Sequence, residues 1–385
     1  MTLNKFCPVA QGEYYNNKSP WKSQPLFPVF FKAFSFVCAI STFCISVTPL
    51  LPDTGSMYLS RFHPVHRSFQ FMRNIHIRGS FMWINAYDLL TFQTMVNYTG
   101  IIIHGYADRI LIRRFPMTSM TIAQLQTHVF PDKMKNIETL RPLIRKAKNS
   151  GADLVCLPEM FNCPYETPNF PVYAEKAGGP VWQALSDLAK EFGIYFSAGS
   201  VPECDQDGHV FNTAYVFDRS GKQIARHRKV HLFDIDVKGG QYFKESDTLT
   251  PGDSATVFDT EFGKIGLCIC FDIRFPEIFR RMVLEGADIV LVPAAFNMTT
   301  GPAHWELTFR ARALDNQIFV FGTSPARDLS ASYQAFGHSI AVSPWGRVLN
   351  QMDEHEGMQI TTIDLDEITS VREQLPLLKT RMENL

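Results

Sequence analysis

A twelve-residue segment occurs twice in this chain. Gly151–Asn162 (GADLVCLPEMFN) and Gly286–Asn297 (GADIVLVPAAFN) agree at seven of twelve positions, at a constant offset of 135. Each copy opens on a glycine suited to stop a helix. Each continues as an unbroken apolar run and ends in proline and a loop. An apolar run without polar alternation suits a strand covered on both faces. Two such strands predict a doubled α/β fold whose two loops face one site at the strand ends, where open α/β sheets bind ligands. Chance likeness between two strand edges is the rival explanation, and the shared Phe-Asn after each strand argues against it. The copies differ where it matters chemically: one carries Glu159, the other Ala294.

The surrounding grammar agrees. Met120 to Gln126 reads as a strand. Met134, Ile137, Leu140, Ile144 and Ala147 recur at helical steps of three and four. Pro142 inside that pattern predicts a kink or a loosened turn, and Gly151 a stop. Asp153 to Leu157 reads as a buried strand, and Val181 to Phe192 as a helix ended by Gly193. Ile194 to Ser197, Val210 to Phe217 and Gln223 to Lys229 read as strands, with turns at Asp207-Gly208 and Ser220-Gly221. Lys264 to Cys268 is a further buried strand, followed by a helix from Phe275 to Glu285. Asp288 to Val292, a helix from His304 to Asn316, Ile318 to Thr323, and strands flanking Pro344-Trp345-Gly346 complete the alternation. Strands and helices with covered faces predict a layered α/β sandwich.

Residues 1–116 do not share this grammar. They hold 11 Lys plus Arg against 4 Asp plus Glu, whereas the remaining residues hold 26 against 34. They also carry 13 of the 32 phenylalanines. Ala33 to Leu51 is uncharged and just long enough to span a bilayer. Its Ser35, Ser41, Thr42, Ser46, Thr48 and Pro49 make a poor span, and it is placed too late for a signal peptide. A membrane anchor, an accessory domain and an upstream extension without part in the function are the three readings. The third is preferred, with orderly sequence beginning at Met117 or Met120. The division is therefore 1–116 as an unassigned extension and 117–385 as the functional domain. A net charge of −1 argues against an obligate nucleic-acid binder. Eight cysteines without a CxxC pair fit neither a disulfide scaffold nor a zinc ribbon, and the expected setting is a reduced, cytoplasmic one.

Three side chains suggest chemistry. Cys270 follows the apolar run Ile265–Ile269 and precedes Phe271–Glu277, so it sits at a sharp strand-to-helix turn. Backbone N–H groups at such a turn lower a thiol's pKa and hold an oxyanion. A lone cysteine more often simply packs, and Cys268 is read that way. Glu159 ends a covered strand, where burial raises a carboxyl toward a general base's range. A capping or ion-paired glutamate is the plainer alternative. Lys229 ends a strand inside a basic run that solvation alone would explain. His231, His304 and His338 leave a Cys/His pair open.

Four motifs in order resolve this by resemblance. Leu157-Pro158-Glu159-Met160-Phe161, Arg228-Lys229-Val230-His231-Leu232-Phe233, Phe243-Lys244-Glu245-Ser246 and Cys268-Ile269-Cys270-Phe271-Asp272-Ile273-Arg274-Phe275-Pro276-Glu277 together resemble the nitrilase, or carbon–nitrogen hydrolase, superfamily. The resemblance runs from about Met120 to the C-terminus and does not include residues 1–116. It implies a four-layer αββα sandwich and a Glu159–Lys229–Cys270 triad, with Glu245 as a second glutamate orienting Lys229. It also implies a backbone oxyanion donor at Phe271.

Phe161–Tyr165, Leu232–Val237, Asn297–Glu306 and Ser324–Asp328 are similar to the ω-amidase branch. That branch removes the terminal amide of 2-oxoglutaramate and 2-oxosuccinamate. A cysteine thioester is implied, with no metal and no organic cofactor. The partner is a small anionic amide, without nucleic acid or membrane, and the family's habit is a homodimer. A substrate carboxylate needs a cation, and Arg274 is the candidate clamp, a structural ion pair with Glu277 being the alternative. Phe161, Phe296, Thr300 and His304 are expected to line the cavity because their loops follow the repeated strands. The rivals are a nitrilase, a deaminated-glutathione amidase, a membrane-tethered N-acyltransferase and a non-catalytic binding protein of the same fold.

Overall fold

The computed structural model describes residues 118–382 continuously and, upstream of them, only short strands between Val47 and Arg114. The chain divides into two compact units, Met1–Phe115 and Pro116–Leu385. In the first, six strands form one antiparallel sheet whose longest pair is Ile101–Tyr106 with Arg109–Arg114. The segment 33–51, considered as a membrane span, lies outside the described residues apart from Val47–Thr48. Among the described residues no helix is long and apolar enough to cross a membrane.

In the second unit, side-chain alternation sets the layers. Strand β1 (Ser119–Gln126) sends Met120 and Ile122 into one apolar cluster and Ala123 and Leu125 into another. β2 (Leu154–Cys156) does the same, with Leu154 and Cys156 on one side and Val155 on the other. One cluster joins the two sheets and runs on to the helices behind the second. The other lies between the first sheet and helices α1 (Lys133–Asn149) and α3 (Pro180–Phe192), a five-residue helix α2 (Asn169–Tyr173) intervening in sequence. In α3, Val181, Leu185, Leu188 and Ala189 form the buried stripe. Full burial of each large member contributes roughly 1.5–3 kcal/mol. Gly193 closes this helix in the left-handed conformation that glycine adopts without strain. α1 continues through Pro142 along its whole span, anchored by Asp132, whose carboxylate accepts from the Met134 and Lys135 N–H groups.

The repeat is architectural. The first sheet runs, edge to edge, β14 (Gly357–Asp364), β1, β2, β3 (Tyr195–Cys204), β4 (Val210–Phe217) and β5 (Gln223–Arg228). The second runs β8 (Thr256–Thr260), β9 (Gly263–Leu267), β10 (Ala287–Pro293), β11 (Phe319–Thr323), β12 (Ile340–Val342) and β13 (Val348–Gln351). In each, three parallel strands form the centre and the remaining pairings are antiparallel. The two copies of the repeated segment supply the middle parallel strands, β2 and β10. Helices α4 (Pro276–Leu284) and α5 (Gly301–Asn316) pack with the second sheet. The architecture is the predicted αββα sandwich. Buried Gln124 ties the sheets together, donating to Gly322 O at 2.7 Å and accepting from Gln359 Nε2 at 2.7 Å. Two short strands, β6 (Asp234–Asp236) and β7 (Tyr242–Lys244), form a separate hairpin.

Candidate active site

Glu159 leaves the end of β2 in a loop stitched to β3. Ser200 N–H donates to Pro158 O, and Met160 N–H donates to Ser200 Oγ at 3.0 Å. Gly199 makes this approach possible, because a Cβ there would stand 2.2 Å from Pro158 O. Lys229 follows β5, its N–H bonded to Asn212 O and its carbonyl accepting from Gly252 N–H. Glu245 opens a short turn at the foot of the β6–β7 hairpin. Cys270 opens the turn Cys270–Arg274 after β9, with φ of 43°. A non-glycine residue held there costs on the order of 1–3 kcal/mol, strain that the surroundings must over-determine.

These four side chains meet. Lys229 Nζ lies 2.8 Å from Glu159 Oε1 and 2.9 Å from Glu245 Oε2, with all three side chains fully buried. Phe233 N–H donates to Glu245 Oε2 at 2.6 Å. Two residues not expected from sequence join them. Asn212 Nδ2 donates to Glu159 Oε1 at 2.8 Å. The Tyr165 hydroxyl lies 3.0 Å from Glu159 Oε1 and 2.7 Å from Glu245 Oε1, so it has one proton for two carboxylates. Oε1 of Glu159 is thus crowded with donors, while its buried Oε2 has no such bond among the described residues.

The charges follow from burial and neighbours. Burial raises the Glu159 carboxyl, and Lys229 pulls it back only in part. Burial works against the Lys229 ammonium, but the Glu159 and Glu245 carboxylates outweigh it and hold the amine protonated. The Cys270 thiol is pushed well up, first by burial and then by Glu159, while Lys229 and the Ala295 backbone N–H act the other way. This corrects the expectation of a thiol made acidic by its turn. The desolvation of a cysteine only 4% exposed exceeds what nearby N–H groups return. Cys270 therefore rests as a thiol beside a carboxylate able to take its proton. Ala295 belongs to the second repeated loop, so both copies reach the sulfur: one with Glu159, the other with a backbone amide.

An aromatic wall encloses the cluster. Tyr165, Phe243, Tyr333, Phe233 and Phe271 contact one another with ring centroids 4.5–5.9 Å apart. Tyr333 donates its hydroxyl to Ala295 O. Phe271 also lines a groove of about 550 Å³ with His231, Leu232, Leu249 and Phe275.

The substrate-lining expectations divide. Arg274 Nη1 stands 3.1 Å from His304 Nδ1, and its guanidinium lies 4.6 Å from the Phe296 ring centroid and 5.6 Å from that of Phe271. No ion pair to Glu277 forms, and among the described residues Arg274 has no carboxylate partner. Phe296 and His304 thus reach the site by way of Arg274. Thr300 spends its N–H and hydroxyl on Asn297 Oδ1 at the start of α5. Phe161 does not line the cavity. Met160, with φ of 48°, reverses the chain after Glu159, and Phe161 packs 1% exposed in the cluster facing α1 and α3. Of the histidines, His231 bonds Asp272 Oδ1 through Nδ1 at 2.8 Å. His338 Nδ1 bonds Phe336 O at 2.9 Å. Cys268 is fully buried in the apolar core.

Comparison with known proteins identifies the family. The carbon–nitrogen hydrolase family model matches residues 120–373. The omega-amidase of Xenopus tropicalis is 48% identical over 269 residues, covering 70% of this chain and 97% of that protein. The omega-amidase of Homo sapiens is 46% identical over the same length and coverage. A Saccharomyces cerevisiae member of branch 10 of the nitrilase superfamily has a similar structure, with TM-score 0.64 and 39% identity over 70% of this chain and 97% of that one. The amidase from Nesterenkonia sp. AN1 in complex with butyramide gives TM-score 0.57 and 25% identity over 67% and 95%. Matched over most of its length by one family model, and by relatives of nearly half identity along almost all of theirs, the chain belongs to the carbon–nitrogen hydrolase family, within the nitrilase superfamily.

Proposed function

We propose that this protein is an ω-amidase. It hydrolyses the terminal amide of 2-oxoglutaramate and 2-oxosuccinamate to acid and ammonia through a cysteine thioester. The observation that carries the reading is Lys229 held between two buried carboxylates beside the buried Cys270 thiol. Glu159 takes the Cys270 proton through its unengaged Oε2. The thiolate attacks the amide carbon. The oxyanion is held by Lys229 and the Phe271 N–H. Glu159 then gives that proton to the amide nitrogen, which leaves as ammonia as the C–N bond breaks. It next takes a proton from the water that attacks the thioester and returns it to Cys270 as the C–S bond breaks and the acid is released. Glu245 keeps Lys229 oriented and charged. The family resemblance asks for neither metal nor organic cofactor.

Anion recognition falls to Arg274. A cation that has no carboxylate partner among the described residues, stacked between Phe296 and Phe271, suits a substrate carboxylate. The omega-amidase relatives support the same substrate class.

The catalytic unit is residues 117–385, and residues 1–116 have no part in the chemistry. Every residue of the site lies inside the family match. The protein acts in the cytoplasm as a homodimer. Five free cysteines among the described residues fit a reducing compartment. Leu307 and Leu314, seven residues apart on α5 and 69% and 41% exposed, give a stripe that a second copy would cover.

The test is ammonia release from 2-oxoglutaramate, compared with glutamine and with a matched nitrile, by wild type and Cys270→Ala. Release from 2-oxoglutaramate well above both comparators, abolished in the variant, is expected. Equal release by wild type and variant rejects the amidase, and preference for the nitrile makes the protein a nitrilase.

A further inference from the structure

Asp272 lies two residues beyond the nucleophile, and the mechanism above does not use it. Its carboxylate is fully buried and holds four bonds. Oδ2 accepts from the Ile269 N–H at 3.0 Å and lies 3.0 Å from His227 Nε2. Oδ1 accepts from the His231 N–H at 2.9 Å and lies 2.8 Å from His231 Nδ1. His227 is anchored in turn, its Nδ1 3.0 Å from Thr256 Oγ1. His231 lies flat on Phe275, with centroids 3.6 Å apart and planes at 9°. Burial alone would raise the Asp272 carboxyl. The bonds from His227, His231 and Ile269 more than reverse this and hold it ionised.

The placement of those partners is what matters. Ile269 directly precedes Cys270, and the Asp272 N–H returns a bond to Ile269 O at 3.0 Å. The turn that fixes Cys270 in its left-handed conformation is therefore closed by Asp272 from both backbone and side chain. His227 and His231 lie two residues before and two after Lys229, on the stretch that carries the ammonium. One carboxylate thus grips the chain beside the sulfur and the chain on each side of the amine.

We infer that Asp272 is a positioning residue that sets the separation of Cys270 from Lys229 and keeps the thiol in line with its base. It touches neither substrate nor reacting atom. This rests on the thiol chemistry proposed above, but not on which amide is the substrate. A shift of the sulfur by an ångström is enough to cost about 100-fold in rate.

The experiment compares Asp272→Asn, which preserves shape but not charge, with His231→Asn, which removes one grip at a partly exposed position. Two readouts are taken on the full chain. One is kcat and KM on any amide the wild type turns over. The other is the rate of Cys270 alkylation by iodoacetamide, read on its peptide by mass spectrometry, which needs no substrate. The expected result for Asp272→Asn is a loss of about 100-fold in kcat with KM nearly unchanged, and slower alkylation in parallel. His231→Asn is expected to show a smaller loss of the same kind without a change in melting temperature. Unchanged or faster alkylation in a folded Asp272→Asn protein overturns the inference, since removing a nearby negative charge would by itself favour the thiolate. Should Asp272→Asn fail to fold, an unaltered kcat in His231→Asn overturns it. Alkylation lost in Asp272→Asn while wild type releases no ammonia from 2-oxoglutaramate would reject the ω-amidase reading and leave this one standing.

Discussion

Lys229 Nζ donates to Glu159 Oε1 across 2.8 Å with neither side chain exposed to water. Breaking such a pair by removing one partner leaves an uncompensated buried charge, at a cost of roughly 3–5 kcal/mol. Lys229→Met fills the same volume without the ammonium. It is expected to lower the unfolding free energy by about that amount and kcat by about 10²–10³-fold, the usual loss for one oxyanion donor. Urea denaturation and single-turnover kinetics measure the two effects. A variant with wild-type rate would show that Lys229 serves stability alone.

The acid limb of the rate profile should report Glu159. Its ionised form accepts the thiol proton, so kcat/KM rises as pH climbs through the Glu159 value. Burial raises that value, so the limb should lie above the pH of about 4.3 expected of an exposed glutamate. Tyr165→Phe removes a hydroxyl 3.0 Å from the carboxylate, a hydrogen bond that favours the charged form. The limb is expected to move further upward. A downward move in Tyr165→Phe would mean that the hydroxyl serves Glu245 instead.

Arg274 should matter to charged amides and not to neutral ones. Charge-assisted hydrogen bonds contribute about 1.5–3 kcal/mol, so Arg274→Gln is expected to raise KM for 2-oxoglutaramate roughly 10- to 150-fold. KM for a neutral amide of similar length should stay within a few-fold. Equal losses on both substrates would return Arg274 to a structural role with His304.

Gly199 is a backbone position with no room for a side chain. It has φ of +62°, and a Cβ would stand 2.2 Å from Pro158 O, one residue before Glu159. Gly199→Ala is expected to destabilise the protein by more than about 1–2 kcal/mol, the left-handed penalty alone, and to displace Glu159. Thermal melting together with kcat tests this. Full activity at wild-type stability would mean that the Glu159 loop yields freely.

Much of this arrangement was legible in the sequence. The repeated segment announced the middle strand of each sheet, because a buried parallel strand is an unbroken apolar run wherever it occurs. Glu159, Lys229, Glu245 and Cys270 were found because each stands in a local motif. Tyr165, Asn212, Tyr333 and Asp272 were not, because each is a single polar residue, wholly or partly buried, with at least one partner brought from a distant part of the chain, and leaves no period behind. Asp272 stood inside the quoted cysteine motif, yet nothing in its neighbours reveals that its ligands come from 227 and 231. Phe161 was misplaced for a related reason. The reversal after Glu159 is made by Met160 in a positive-φ conformation, and no glycine advertises it. Strand β14 escaped notice because it pairs with β1 from the other end of the domain, Gly357 opposite Gln126 and Asp364 opposite Ser119.

That last pairing has a consequence for biosynthesis. The outer neighbour of β1 is among the last parts of this domain to leave the ribosome. During translation β1 therefore waits with one row of amides and carbonyls open to any strand that passes, and chaperone dependence is to be sought in that interval.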